Sequence, residues 1–102
     1  MIHVIATVSL APGTRAQFLE VFNANVPAVR AEDGCLEYGA AVDLQTDHPA
    51  QGPVRPDAVV VVEKWRDAAA LKAHSGAPHM QAYRAKAKDY VLAVSLQVLE
   101  PA

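Results

Sequence analysis

A run of four valines, Val59–Val62, constrains the fold of this chain more than any other feature. It lies inside the segment AVVVVEKW, residues 58 to 65. A strand that is half exposed alternates apolar and polar side chains, whereas a continuous apolar run is typical of a strand that is covered on both faces. The sequence therefore predicts a sheet in which this strand has other protein over each face.

Three further strands are predicted from alternating apolar and polar positions. The first runs from Ile2 to Leu10, the second from about Leu36 to Leu44, and the last from Val91 to Leu99. In the second strand five side chains are expected to share one face: Leu36, Tyr38, Ala40, Val42 and Leu44.

Helical signals separate these strands. The TRAQ pattern that begins at Thr14 is that of a capping box, and Pro27 is expected to kink the helix that follows or to end its regular part. The second helical region is split. Asp67 is the predicted N-cap of a short helix through His74, and Pro78 opens another helix.

The resulting order is β-α-β-β-α-β, which predicts an α+β fold of the ferredoxin-like type over residues 1–102 as a single domain. Its four-stranded antiparallel sheet carries the helices on one face. Because the valine run is apolar on both faces, we expect a second copy of the chain to cover the other, giving a homodimer. Residues 45–57 hold three prolines and a glycine, so they are expected to form an extended loop, either a lid or an inert insertion.

Composition excludes several classes of partner. A net charge of −2 gives no electrostatic reason to bind nucleic acid or an anionic membrane. The chain shows no secretion signal and no apolar run of membrane-spanning length, so we expect a cytoplasmic protein. Cys35 is the one cysteine and is expected to be buried, since no internal disulfide is possible.

Three segments resemble the antibiotic biosynthesis monooxygenase (ABM) family: DGCLEYG at 33–39, EKW at 63–65 and ALKAHSGAPHMQAY at 70–83. The resemblance covers nearly the whole chain except the loop at 45–57. It implies a dimeric α/β barrel built from two ferredoxin-like units. It also implies, as in some members, oxygenation of quinols or polycyclic phenols without metal, flavin or haem.

The chain departs from the family pattern at two places. Quinone-forming members have an asparagine four residues before the strand tryptophan, where this chain has Val61, and a tyrosine on the next helix, near Leu71. Haem-degrading relatives use a tryptophan and an iron-binding histidine on the helices, where this chain has His74 and Arg84. Haem degradation is therefore disfavoured.

Oxygenation without a cofactor needs a base and a dry cavity, and histidine suits this role near neutral pH. His79 is expected in the first turn of its helix, where the helix dipole keeps the imidazole neutral, so it is the candidate base. His74, near the end of the preceding helix, is the candidate donor to a developing oxyanion. Substrate contacts are predicted for Trp65, Val61, Tyr38, Tyr83 and Met80.

Each of these residues has a simpler interpretation. His79 could be a helix-start histidine that bonds the backbone of the junction, and Trp65 could be core packing. His74 could be a partly exposed helix residue or could form a hydrogen bond between subunits. No metal site is predicted, because His74 and His79 are five residues apart and no third ligand is near in sequence, Glu63 being more typical of a strand-end ion pair.

Three functions are therefore open. The first is a homodimeric monooxygenase that uses O2 and an aromatic, quinol-like or polyketide-like substrate without a cofactor. The second is a non-catalytic dimeric domain that binds a small apolar ligand, which Val61 favours. The third is a cofactor-free isomerase or cyclase on the same scaffold, which would use the same base and consume no oxygen.

Overall fold

The computed structural model describes all 102 residues. Its four strands form one antiparallel sheet in the order β2-β3-β1-β4. Its three helices lie between the strands at the predicted places in the chain. The elements are β1 (Ile2–Leu10), α1 (Arg15–Arg30), β2 (Cys35–Ala41), β3 (Ala58–Trp65), α2 (Ala68–Ser75), α3 (Pro78–Ala87) and β4 (Val91–Leu99). The α+β ferredoxin-like fold is thus confirmed.

The core lies between the sheet and the helices. In the two central strands, Val4 pairs with Glu63, Ala6 with Val61 and Val8 with Val59, and all six side chains are buried. Helix α1 contributes an apolar stripe at helical spacing to the same core. Its buried members are Phe18, Phe22, Val26 and Val29.

At the two ends of α1, the start at Thr14 is confirmed, whereas the capping hydrogen bond and an end of the helix at Pro27 were wrong. The helix follows Thr14, but the Thr14 hydroxyl donates to the carbonyl of Ala11 at 2.7 Å and makes no capping hydrogen bond. The helix also continues past Pro27 to Arg30. Proline removes one backbone donor, but the carbonyl of Pro27 still accepts from the N–H of Ala31 at 3.1 Å, so the last turn keeps its hydrogen bonding.

Strand β2 is shorter than predicted and only partly in phase. The pairing register with β3 shifts between Cys35 and Glu37, and Leu36 is 57% exposed. Tyr38 is buried beyond this irregularity, but the strand ends at Ala41, so Val42 and Leu44 lie outside it and are exposed. A bulge adds one residue to one strand and reverses the faces on either side of it, which simple alternation does not show.

The sheet face without helices consists of the other residues of each strand. At its centre Ile5 pairs with Val62 and Thr7 with Val60, and the two valines are half-buried. The valine run is therefore apolar on both faces as predicted. A homodimer that covers this face stays a prediction.

The turn between α1 and β2 packs closely against α2. Gly34 has a φ of +83°, and a Cβ added to it would lie 2.6 Å from the Cβ of Ala70. The backbone carbonyl of Gly34 accepts from the N–H of Arg66 at 2.8 Å. At the start of α2, Asp67 accepts from the N–H of Ala70 at 2.9 Å, so this predicted N-cap is confirmed. These contacts bring the end of α1 beside α2.

Residues 42–57 contain no helix or strand, so the loop predicted at 45–57 is confirmed and begins three residues earlier. Asp43 and Arg55 join the two ends of this segment through two side-chain hydrogen bonds of 2.8 and 2.9 Å. Arg55 holds the pKa of the Asp43 carboxyl well below its usual value, at about 2. No helix of the chain combines the length and apolarity that crossing a membrane requires.

Candidate functional site

A cavity of about 450 Å³ lies between the helices and the sheet. Twelve of its seventeen lining residues are hydrophobic, and its volume is typical of small-molecule sites. The structure brings five of the predicted site residues to this cavity: Tyr38, Val61, His74, Met80 and Tyr83.

Trp65 does not line the cavity and lies one layer behind it. The side chain is fully buried, with its ring centre 4.6 Å from that of His74. Its Nε1–H donates to Oε1 of Glu63 at 2.8 Å. Alternation alone could not show whether the Trp65 side chain faces the helices or a second copy of the chain, and the structure places it against His74 of α2. Trp65 therefore supports two polar cavity residues.

Glu63 brings a carboxyl group into the apolar cavity. It is 6% exposed, and burial raises the pKa of this carboxyl above its usual value, although the Trp65 hydrogen bond and the proximity of His74 act in the opposite direction. Burial also raises the pKa of the Tyr83 hydroxyl to about 12 and that of the Tyr38 hydroxyl further still. Both phenols are therefore protonated at neutral pH and can donate hydrogen bonds to a ligand.

His74 is the basic side chain in the interior part of the cavity. It lies in the last turn of α2 with 6% of its side chain exposed, and its ring meets that of Tyr38 edge-on at 5.5 Å. Its Nδ1 lies 2.8 Å from Oε2 of Glu32, which is the one hydrogen bond of the ring, so its Nε2 has no partner in the chain and is not fully buried. The Nε2 atom is thus free for a ligand.

His79 lies outside this cavity, in the first turn of α3. It lines an open groove between α1 and α3 that also includes Glu20 and Asn25, and 30% of its side chain is exposed. Its Nε2 lies 2.9 Å from the same Oε2 of Glu32. The position in the helix is as predicted, but His79 lines the groove whereas His74 lines the cavity, although both rings contact the same Glu32 oxygen.

Sequence reasoning missed Glu32. It precedes His74 by 42 residues and His79 by 47, so no local spacing connects the three. The one usable signal is topological, because the end of α1 and the junction between α2 and α3 meet at the same end of a β-α-β-β-α-β sheet.

The Glu32 carboxylate and the two imidazoles are also the donor set of many metal sites. Their three ligand atoms lie within 4.8 Å of one another. The separations of 2.8 and 2.9 Å from Glu32 are hydrogen-bond lengths. A tetrahedral ion with bonds of about 2.0–2.1 Å would hold its ligand atoms about 3.3 Å apart. The geometry is therefore that of a hydrogen-bonded cluster.

The cavity opens toward β4. Val94 and Leu96 line it and share a face with the core residues of β1, yet each is at least 50% exposed. Arg84 and Lys88 are the two cationic side chains of the lining, and Arg84 donates to the carbonyl of Ser75 at 2.8 Å. A ligand can thus enter the cavity past the apolar side chains of β4, with the positive charges of Arg84 and Lys88 on the side formed by α3.

Comparisons of the sequence with known proteins identify related monooxygenases. A family model described as antibiotic biosynthesis monooxygenase matches residues 1–86. The Escherichia coli protein named "Probable quinol monooxygenase YgiN" is 37% identical over 103 residues, covering 99% of this chain and 98% of that protein.

Solved structures of similar fold cover nearly the whole chain. Rv0793 from Mycobacterium tuberculosis superposes with a TM-score of 0.79 at 30% identity, covering 99% of this chain and 94% of that one. PA3566 from Pseudomonas aeruginosa superposes with a TM-score of 0.80 at 27% identity, covering 99% and 93%. The similarity thus extends over nearly the whole chain.

Proposed function

Because the chain belongs to the antibiotic biosynthesis monooxygenase family, we propose that it is a cofactor-independent monooxygenase that oxidises a quinol-like or polycyclic aromatic molecule with O2. The observation that carries this proposal is the pairing of an apolar cavity with one unpartnered imidazole nitrogen, Nε2 of His74. The name of the E. coli relative supports a quinol as the substrate class.

The proposed reaction begins with proton transfer from a quinol hydroxyl to Nε2 of His74. The quinolate that results is a better electron donor to O2 than the neutral quinol. For a quinol with a free ring carbon the reaction is quinol plus O2 to hydroxyquinone plus water. One oxygen atom enters the ring, the other leaves as water, and the quinol supplies all four electrons.

His74 takes the role of base in this proposal, in place of His79. Both residues were candidates, but a base must come within hydrogen-bond reach of the proton that it removes, and only His74 lines the cavity. Tyr38 and Tyr83 are proposed to donate to the substrate oxygens, with Val61 and Met80 as apolar walls. Trp65 is proposed to fix His74 and Glu63 from behind.

We also propose that the active form is a homodimer. A second copy would cover Ile5, Val60 and Val62 on the helix-free face and would give the dimeric α/β barrel. A cytoplasmic location likewise stays our proposal.

Oxygen uptake tests the proposed reaction. Wild-type protein, treated with a chelator, is assayed in an oxygen electrode with reduced naphthoquinols and anthrones. We expect uptake above the spontaneous rate, one atom of ¹⁸O2 in the quinone product, and a decrease in kcat on the order of 10²-fold in His74→Ala. His48→Ala is the matched control, since His48 lies in the exposed 42–57 segment away from the cavity.

The same experiment separates the alternatives. A loss of kcat in His79→Ala with normal kcat in His74→Ala would return the base to His79. Saturable binding of the panel without oxygen uptake would favour the ligand-binding domain, which the apolar Val61 supports. Conversion of a panel compound without oxygen uptake would identify an isomerase or cyclase.

A further inference from the structure

One carboxylate oxygen of Glu32 contacts both histidines of the helix junction. Glu32 lies in the turn after α1, His74 in the last turn of α2 and His79 in the first turn of α3. Oε2 of Glu32 is 2.8 Å from Nδ1 of His74 and 2.9 Å from Nε2 of His79, and the Glu32 side chain is 14% exposed. A turn and two helices thus converge on one carboxylate oxygen, which contacts the cavity-lining residue His74.

An ionised carboxylate only accepts hydrogen bonds, so each imidazole must present an N–H to it. For a neutral His74 this places the proton on Nδ1. The lone pair then lies on Nε2, which is the nitrogen without a partner in the chain. In the other tautomer Nε2 would carry a proton and could not accept one from a substrate.

We infer that Glu32 is a positioning residue that holds His74 in the Nδ1–H tautomer, so that Nε2 is the proton acceptor inside the cavity. This inference rests on the proposed function of His74. Once Nε2 has taken the substrate proton, the imidazolium lies 2.8 Å from the Glu32 carboxylate, which balances its charge. His79 holds the same oxygen from the solvent side and so fixes the Glu32 side chain.

No other carboxylate can replace Glu32 in this role. The groups that face His74 from the packed elements are Glu32, Glu63, Tyr38 and Trp65. Glu63 accepts from Nε1 of Trp65 and makes no hydrogen bond to His74. Tyr38 contacts His74 ring to ring and is not its hydrogen-bond partner. The tautomer of His74 therefore depends on Glu32.

Two measurements on full-length protein test this inference. Long-range ¹⁵N–¹H NMR reports which nitrogen of His74 carries the proton and needs no substrate, and steady-state kinetics separate kcat from KM. In Glu32→Ala we expect the proton of His74 to move at least partly to Nε2 and kcat to fall on the order of 10²-fold with KM within about twofold.

Two variants act as controls. Glu32→Gln keeps an oxygen that can accept from Nδ1 but has no charge, so it should retain the Nδ1–H tautomer more fully than Glu32→Ala, with an intermediate kcat. It also covers the case in which Glu32→Ala does not fold. Glu20→Gln makes the same charge change in the outer groove beside His79 and should leave both readouts as in wild type.

Three results would overturn the inference: an Nε2–H tautomer of His74 in the wild type, a Glu32→Ala protein with unchanged tautomer and kcat, or a changed tautomer with unchanged kcat. Loss of wild-type turnover on chelation, restored by a divalent ion, would also overturn it in favour of a metal site on the same three residues. A protein with no turnover on any quinol but with a Glu32-dependent tautomer would instead refute the proposed function.

Discussion

Glu63 makes the stability of the protein depend on pH. Its carboxyl has a raised pKa in the folded state, because it is buried, and an ordinary one in the unfolded chain. Between those two pKa values the folded state binds more protons, so the free energy of unfolding falls as pH rises through that window. Glu63→Gln keeps an acceptor for Nε1 of Trp65 and has nothing to titrate.

We therefore expect urea unfolding from about pH 4 to about pH 8 to show wild type losing stability relative to Glu63→Gln as pH increases. Glu37→Gln is the control, because Glu37 forms an exposed ion pair with Lys64 at 3.1 Å, and such pairs contribute little. Parallel curves for wild type and Glu63→Gln would show that the Glu63 carboxyl is not buried as described.

Gly34 tests the close contact between the turn that carries Glu32 and helix α2. Gly34→Ala combines a positive φ with a Cβ 2.6 Å from that of Ala70, so we expect a loss of about 2–4 kcal/mol in unfolding free energy. Gly13→Ala has a similar φ of +79° but no atom within 4 Å, and should lose about 1 kcal/mol. Equal thermal unfolding midpoints for the two variants would contradict the contact.

The residues of the site differ in how far the sequence could predict them. His74, Tyr38 and Met80 could be placed near one cavity because the type of each element, and the face of it on which a residue lies, are set by local sequence. Glu32 could not, since its contacts join segments more than 40 residues apart. The placement of His74 in the cavity and of His79 in the outer groove depends on how α2 and α3 pack, which periodicity within either helix does not determine.

At the scale of elements, the two candidate N-caps, Asp67 of α2 and Thr14 of α1, are expected to differ in how much they stabilise the protein. The Asp67 carboxylate accepts from the N–H of Ala70, so Asp67→Ala should cost about 1 kcal/mol of stability. Thr14 makes no cap hydrogen bond, and Thr14→Ala should cost clearly less. Chemical denaturation of both variants measures the difference, and a larger loss for Thr14→Ala would mean that Thr14 caps α1 after all.

The sequence predicted elements best where a single signal was strong. Strand β3 follows from the valine run and α2 from Asp67, and both have nearly the predicted bounds. Strand β2 was overextended because its apolar alternation continues to Leu44, whereas the pairing with β3 ends at Ala41. Pairing depends on two strands, so the apolar pattern of β2 alone cannot show where its pairing with β3 ends.

At the scale of the whole molecule, the helix-free face predicts self-association. We expect light scattering after size-exclusion chromatography to give about twice the 10.9 kDa chain mass. Val62→Lys places a charge at the centre of this face and should shift the protein toward the monomer, because an unpaired charge is costly to bury.

Leu44→Lys is the matched control for that charge, since Leu44 is 75% exposed in the segment after β2. It should elute as wild type does. A monomeric wild-type protein, or a Val62→Lys variant that keeps the wild-type mass while folded by circular dichroism, would contradict the proposed interface.

The paired side chains of Asp43 and Arg55 close the 42–57 segment at its base, and none of its residues lines the cavity. Between these two residues the chain can change length without pulling on β2 or β3, since exposed loop tips tolerate insertions. Residues 46–50 are therefore a permissive point for an epitope tag or a fluorophore attachment peptide, which would leave both chain termini free for immobilisation.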